Sequence, residues 1–244
     1  MAVADGTTVL ACTPHILPTV YDNNGPTINA AIAVMRKALA LAEIPLRLVS
    51  GADVHVAPDL AAGIQSGRVL TLNESRYFLL EPPHHIAPPR LAELAFGLHT
   101  AGYVAILTHP ERLSWIDGYY SLIEQLAHNG TLIQLTAGSL TGRFGRRPRY
   151  WAERMLDEGL CHILASDGHN VDHRPPCLSE GREAAARRVG DEEATNLVVT
   201  RPQAIIDNVS PGQLSPVRGR QQKADSAPGW RRILARARRI GGGG

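Results

Sequence analysis

Cysteine is nearly missing from this chain. Cys12, Cys161 and Cys177 are all it has in 244 residues. So sparse and odd a set argues against a disulfide framework and fits a reducing, cytoplasmic setting. Cys12 and Cys161 fall in apolar runs, where the residue acts as a small hydrophobe. Long hydrophobic stretches are also missing, and none reaches the length that spans a bilayer. The opening MAVADGTTVL has neither the basic start nor the apolar core of a secretory signal. The phosphate-binding glycine patterns G-x-x-x-x-G-K-[ST] and G-x-G-x-x-G do not occur, nor does the G-x-S-x-G elbow of serine hydrolases. Arg182 follows Cys177 one residue short of the Cys-x5-Arg spacing of thiolate phosphatases, and the loop between them is not glycine-rich. No internal repeat is evident.

What is present begins with charge. The formal +2 of the whole chain divides into +7 for residues 211–244 and −5 for the rest. A mildly acidic body leaves any nucleic-acid contact to the tail alone, so no sequence-specific nucleic-acid partner is expected. From Ser210 onward Pro, Gly, Ser, Gln and charge dominate, and 210–244 reads as a basic, disordered tail. Within it WRRILARARRI has a partial apolar face. It is either a solvated basic segment or a tether to an anionic membrane surface or acidic partner. Eleven residues make a marginal helix in water, which favours the former.

Five short apolar runs end in a histidine or a carboxylate: TTVLACTPH (His15), LRLVSGAD (Asp53), YFLLE (Glu81), VAILTHPER (His109) and HILASDGH (Asp167, His169). Such runs between turn signals read as buried strands of a parallel sheet. A polar group at the carboxyl end of such a strand faces the mouth of an α/β barrel or the crevice of an open sheet. Five of them, all of metal-ligand type, point to a cation site built from several strand ends. For each carboxylate, an arginine or a turn backbone is the alternative partner. His55, two residues past Asp53, is left between a supporting role and the opposite face. His84 and His85 sit in a Pro-rich loop at the expected mouth. His99, His128 and His162 read as structural, and His173 is undecided. Arg112 and Arg174 each follow a candidate ligand by a few residues. Guanidinium matches phosphate in a bidentate way, so the pair suggests a phosphoryl substrate.

Strands are expected near 7–13, 46–52, 77–81, 103–108, 131–136 and 161–166. Helices are expected over 27–43, 58–66, 88–101, 117–128, 149–159, 176–189, 191–199 and 201–208. This alternation makes residues 1–209 one α/β domain with a helix-covered parallel sheet.

The motifs TPH, GAD-V, TLNESRYFLLE, THPER and ASDGHN-x-x-x-RPP resemble, in order and spacing, the bacterial PHP-superfamily protein-tyrosine phosphatases of capsule and exopolysaccharide operons (the CpsB/CapC/YwqE type). The resemblance covers about residues 4–208. It implies a distorted (β/α)7 PHP-type barrel holding two or three divalent metals, usually Mn2+, at the strand ends. It further implies a cytoplasmic phosphatase acting on the tyrosine-rich tail of a polysaccharide-export autokinase. Carried over by motif, His15 and His169 would serve one metal, Glu81 and His109 another. Asp53 would bridge, Asp167 would complete the remaining centre, and Arg112 and Arg174 would grip the phosphate. Two departures stand out. Asp53 occupies a position where the family has the longer Glu, and the family's first strand, with its His-x-His, has no counterpart here. The expectation is therefore a barrel lacking its first strand, from truncation or a misassigned start. A catalytically impaired phosphotyrosine binder and another PHP phosphoesterase, such as a histidinol-phosphate phosphatase, are the alternatives.

Overall fold

The computed structural model describes residues 1–220. The possible tether helix over 230–240 lies outside the described residues. β1 (Val9–Cys12) and β2 (His15–Ile16) follow one another along one edge, as do β3 (Arg47–Ser50) and β4 (Asp53–His55) beside them. β1 pairs with β3 and β2 with β4. From β4 the sheet continues in chain order through β5 (Tyr77–Glu81), β6 (Val104–Thr108), β7 (Leu132–Thr136) and β8 (Ile163–Ala165). Every pairing is parallel. Among the described residues β1 pairs only with β3 and β8 only with β7. Both strands line one wall-to-wall cavity of about 560 Å³ that also reaches His15, Asp53, Asp167 and His169.

Helices cover the sheet: α1 (Gly25–Leu41), α2 (Leu60–Gln65), α3 (Leu91–Thr100), α4 (Ile116–His128), α5 (Ala137–Leu140), α6 (Arg146–Asp157), α7 (Ser179–Val189), α8 (Asp191–Thr195) and α9 (Arg201–Ile206). Their starts follow local chemistry. Asn24 and Thr27 form a reciprocal capping box at the head of α1, with Pro26 in its first turn. The sequence pattern does not predict α5, because four residues carry no 3.6-residue period. The helices expected over 191–199 and 201–208 run together instead, joined by a π-helical turn at Asn196–Thr200. Among the described residues, no helix is long and apolar enough to cross a membrane.

Alternation along the strands sorts side chains into two cores. Phe78, Leu80, Ala105, Leu107, Ile133, Leu135 and Leu164 face the helices in the larger cluster. Tyr77, Leu79, Val104, Ile106, Leu132 and Ile163 form the smaller inner cluster. With a period of two, the inner face must also receive Glu81 after Leu79, Thr108 after Ile106, and Asp53 and His55 on either side of the helix-facing Val54. The polar residues thus continue the inner apolar layers at the carboxyl ends.

The first part of the expected tail stays on the body. Buried Arg201 holds it, donating to the carbonyls of Ser215 (2.8 Å), Pro216 (2.9 Å) and His162 (3.1 Å) and pairing with Glu193 at 2.5 Å. Arg201 is 1% exposed and Glu193 2%, so neither charge has water as an alternative partner. Arg201→Met should cost about 3–5 kcal/mol, measured by urea unfolding. Adding Glu193→Gln should recover part of that loss. Beside this pair, His162 accepts a hydrogen bond from the Ile133 amide through Nδ1 at 3.1 Å. Burial and the Arg201 charge hold it down to about 4. Its folded value lies below the unfolded one of about 6.5. Its contribution is therefore complete above that pH and is lost as pH falls from there to about 4, by up to about 3 kcal/mol. His162→Asn should flatten the dependence of Tm on pH in this window relative to the parent chain.

Candidate metal centre and arginine pair

Register places the candidate ligands side by side. His15 on β2 is the partner of Asp53 on β4, and His55 on β4 is the partner of Glu81 on β5. His109 follows β6 in a left-handed conformation, φ 37°. That turn is sparsely populated for a side chain with a Cβ and is found where structure over-determines it. Glu111 is part of what holds it. Fully buried, Glu111 accepts hydrogen bonds from the Thr136 amide (2.9 Å) and the Ser139 hydroxyl (2.7 Å), tying the turn after β6 to α5. Burial raises its pKa against those bonds.

The side chains converge on Glu81. His15 Nδ1 and His55 Nε2 each lie 2.8 Å from Glu81 Oε2, while His109 Nε2 lies 3.4 Å from Oε1 and 3.8 Å from Asp53 Oδ2. Two overlapping trios result, His15–His55–Glu81 and Asp53–Glu81–His109, each with one donor atom per residue within 4.8 Å of the others. Burial alone would raise the pKa of Glu81, but His109, His15 and His55 hold it well below the usual carboxylate range. Burial opposes charge on His109 as well, yet Asp53 and Glu81 outweigh it and draw the imidazole up to about 10. The Glu81 contact raises His15 too.

These residues fit a divalent cation. Glu81 Oε2 and His15 Nδ1 are buried and make no aligned hydrogen bond, although only 2.8 Å separates them. Lone pairs that meet at a common point without hydrogen-bond alignment are a cation's first requirement. Mixed imidazole and carboxylate donors suit first-row divalent metals.

Asp167 and His169 do not join either trio. Asp167, also left-handed at φ 49°, turns its Oδ2 to Arg112 at 2.5 Å and to Arg174. Its Oδ1 is 3.6 Å from His169 Nδ1, and the His169 ring stands 6.0 Å from that of His15. The carried-over reading made Asp167 a metal ligand and the arginines a phosphate clamp. Here the two guanidiniums both bind that carboxylate. Gly168 lets the following loop close in, since a Cβ there would lie 2.9 Å from Pro176 Cα. Phe144 packs against both guanidiniums, with Arg112 4.5 Å and Arg174 5.7 Å from its ring centre.

Sequence reasoning left His55 out of the candidate ligands, although it stands in one of the two trios. The signal was available: residues two apart on a strand share a face, so His55 must point where Asp53 points. It also missed Glu111 and Phe144, whose partners are 25 or more residues away in the chain or placed by the fold.

Residues 1–207 match the family model for capsular polysaccharide synthesis, CpsB/CapC. The chain belongs to the CpsB/CapC family. It is 32% identical over 179 residues to the putative tyrosine-protein phosphatase CapC of Staphylococcus aureus, covering 73% of this chain and 70% of that one. It is 30% identical over 191 residues to the tyrosine-protein phosphatase YwqE of Bacillus subtilis strain 168, covering 78% and 75%. With CpsB of Streptococcus pneumoniae, also a tyrosine-protein phosphatase, identity is 23% over 206 residues, covering 82% and 85%. Among solved structures, those of YwqE and CpsB, described as unique metal-dependent tyrosine phosphatases, supply a match at TM-score 0.82 and 28% identity. It covers 90% of this chain and 86% of that one. The family's α/β fold with parallel strands is therefore this chain's fold.

Glu111→Ala should remove the acceptor for two buried donors and cost about 2–4 kcal/mol. Glu111→Gln, which keeps an acceptor oxygen, should cost less. Urea unfolding of the two variants side by side checks the order.

Proposed function

We propose that this chain is a metal-dependent protein-tyrosine phosphatase of capsular polysaccharide synthesis. Its expected substrate is the phosphorylated tail of a tyrosine autokinase in the cytoplasm. The observation that carries the reading is a pair of guanidiniums, held together on Asp167, beside a histidine–carboxylate cluster whose His15 and Asp53 share one cavity with Asp167 at the carboxyl ends of a parallel sheet. The tyrosine phosphatase relatives and their metal dependence support it. Residues 1–209 form the phosphatase domain in this reading, and its sheet is the wall of a PHP-type barrel whose closing strand would lie between β8 and β1.

The residues that would hold divalent cations are His15, Asp53, Glu81 and His109, with Asp167 and His169 beside them; Mn2+ is the expected metal. Bound there, a cation supplies positive charge that offsets the charge of a phosphoryl group and lowers the pKa of water. Arg112 and Arg174 bind the phosphate and neutralise charge developing on its oxygens. An entering phosphate meets the two guanidiniums that otherwise hold Asp167 Oδ2, so binding frees that carboxylate toward the cluster. Phe144 keeps both guanidiniums at the rim by stacking against them. Glu111 holds His109 in place through the turn and does not touch substrate.

A second reading has an observation of its own. Asp167 and His169 border the unbridged interval between β1 and β8 and stand outside both ligand trios. A chain in that state keeps the arginine pair and binds phosphotyrosine without turning it over.

Phosphate release from a phosphotyrosine peptide, a phosphoserine peptide and histidinol phosphate separates the readings. With Mn2+ added, the tyrosine peptide alone should be turned over, and a chelator should abolish the reaction. Arg112→Ala and Arg174→Ala should each lower kcat/KM by about 100-fold. Tight phosphopeptide binding with no release would favour the second reading, and preference for histidinol phosphate would replace the first.

A further inference from the structure

The ligand set carried over from the family leaves His55 out, yet no imidazole in the cluster is better placed. We propose that His55 is a metal ligand. With His15 and Glu81 it holds one divalent ion, and Glu81 is shared with a second ion held by Asp53 and His109. The inference rests on the metal-centre reading above and deepens it.

Three observations carry it. Strand alternation turns His55 to the inner face with Asp53, and register sets it beside Glu81. Its Nε2 and the Nδ1 of His15 reach the same oxygen, Glu81 Oε2, both at 2.8 Å. Neither ring forms an aligned hydrogen bond with that oxygen, which is buried without a partner although two imidazoles, tilted at 56° with centroids 6.2 Å apart, flank it. A cation at the point where the three lone pairs meet would satisfy all three. The other oxygen, Oε1, faces His109, so the two oxygens of one carboxylate serve two trios, the arrangement of a bridging ligand.

The surroundings suit a site that exchanges ligands. The side chains of His15, His55 and Glu81 are 23%, 20% and 14% exposed, buried enough to be held and open enough to be entered from the mouth. Tyr21 stacks on the His15 ring at 5.1 Å, and Asn23 donates to the His15 carbonyl at 2.8 Å, so that ring is fixed in orientation before any ion arrives. Three protein donors that leave coordination positions free are the pattern of catalytic rather than structural sites.

The test is metal stoichiometry on the full chain, stripped with chelator and titrated with Co2+ and with Mn2+. Calorimetry gives affinity, elemental analysis gives ions bound, and the visible Co2+ spectrum reports imidazole ligation. The parent chain should bind two ions. His55→Phe, which keeps the ring volume without a donor, should bind one of them at least 100-fold more weakly and lose part of the Co2+ spectrum. His128→Asn, at an exposed site on α4, should behave as the parent. If His55→Phe does not fold, His55→Asp restores a donor there and should bind two ions with a shifted Co2+ spectrum; an unshifted spectrum would overturn the inference. Two ions bound with parental affinity by a folded His55→Phe would overturn the role of His55 and leave the metal-centre reading intact. No divalent ion bound by the parent chain would bring down both.

Discussion

Everything at the mouth of this sheet is arranged around the Glu81 carboxylate. A carboxylate in a partly dry site is costly unless something positive or donating meets it. Here three imidazoles do so, from β2, from β4 and from the turn after β6, and they pull its pKa down against burial. The positions of those imidazoles are not free choices. Parallel register places His15 beside Asp53 and His55 beside Glu81, and the left-handed turn at residue 109 brings the third ring over from the next strand. Slip one strand by a residue and its whole inner row, apolar layers and ligand together, turns to the helices. The inner core of Tyr77, Leu79, Val104 and Ile106 therefore does more than fill space. By fixing register it fixes which donors share one point.

That dependence explains what could be read in advance. Six strands were legible because a parallel sheet buried on both faces needs continuous apolar runs, whereas β2 and β4, only two and three residues long, lie past the expected 7–13 and 46–52. His15, Asp53, Glu81 and His109 were legible as a group because each closes such a run. The face of His55 followed from the same alternation, but a histidine just past a carboxylate draws less attention than the one that ends the run. The pairing of Asp167 with Arg112 was not legible at all. It joins residues 55 apart in sequence through the spatial order of β6, β7 and β8. Equally hidden was the buried pair of Arg201 with Glu193, since nothing local distinguishes an arginine held inside from one on a solvated face. Composition past residue 209 suggested a free tail, while the first residues there are held by carbonyl contacts that carry no side-chain signature.

Two parts of the site share one physical theme, competition for charge. The arginine pair holds Asp167 as an internal anion, which keeps two guanidiniums together that would otherwise repel. In the proposed function an incoming phosphate would offer more negative charge and more acceptor atoms in the same place. The internal carboxylate thus keeps the two guanidiniums side by side, and Phe144 adds an apolar wall that limits how far either can move.

The same competition governs the cluster around Glu81, where the rivals are protons and cations. His109 is drawn up to about 10 by Asp53 and Glu81, which means that in the absence of a metal the carboxylates recruit a proton to neutralise themselves. A cation can take the imidazole nitrogen only by displacing that proton. Strong carboxylate fields therefore act in both directions: they attract the cation and they favour the proton on His109 and His15 against it. The two carboxylates together carry two negative charges. A divalent ion offsets them with one atom and satisfies several lone pairs at once. A doubly charged ion would win by multiplicity of bonds rather than by charge, and that advantage grows with every donor that already points at the shared carboxylate.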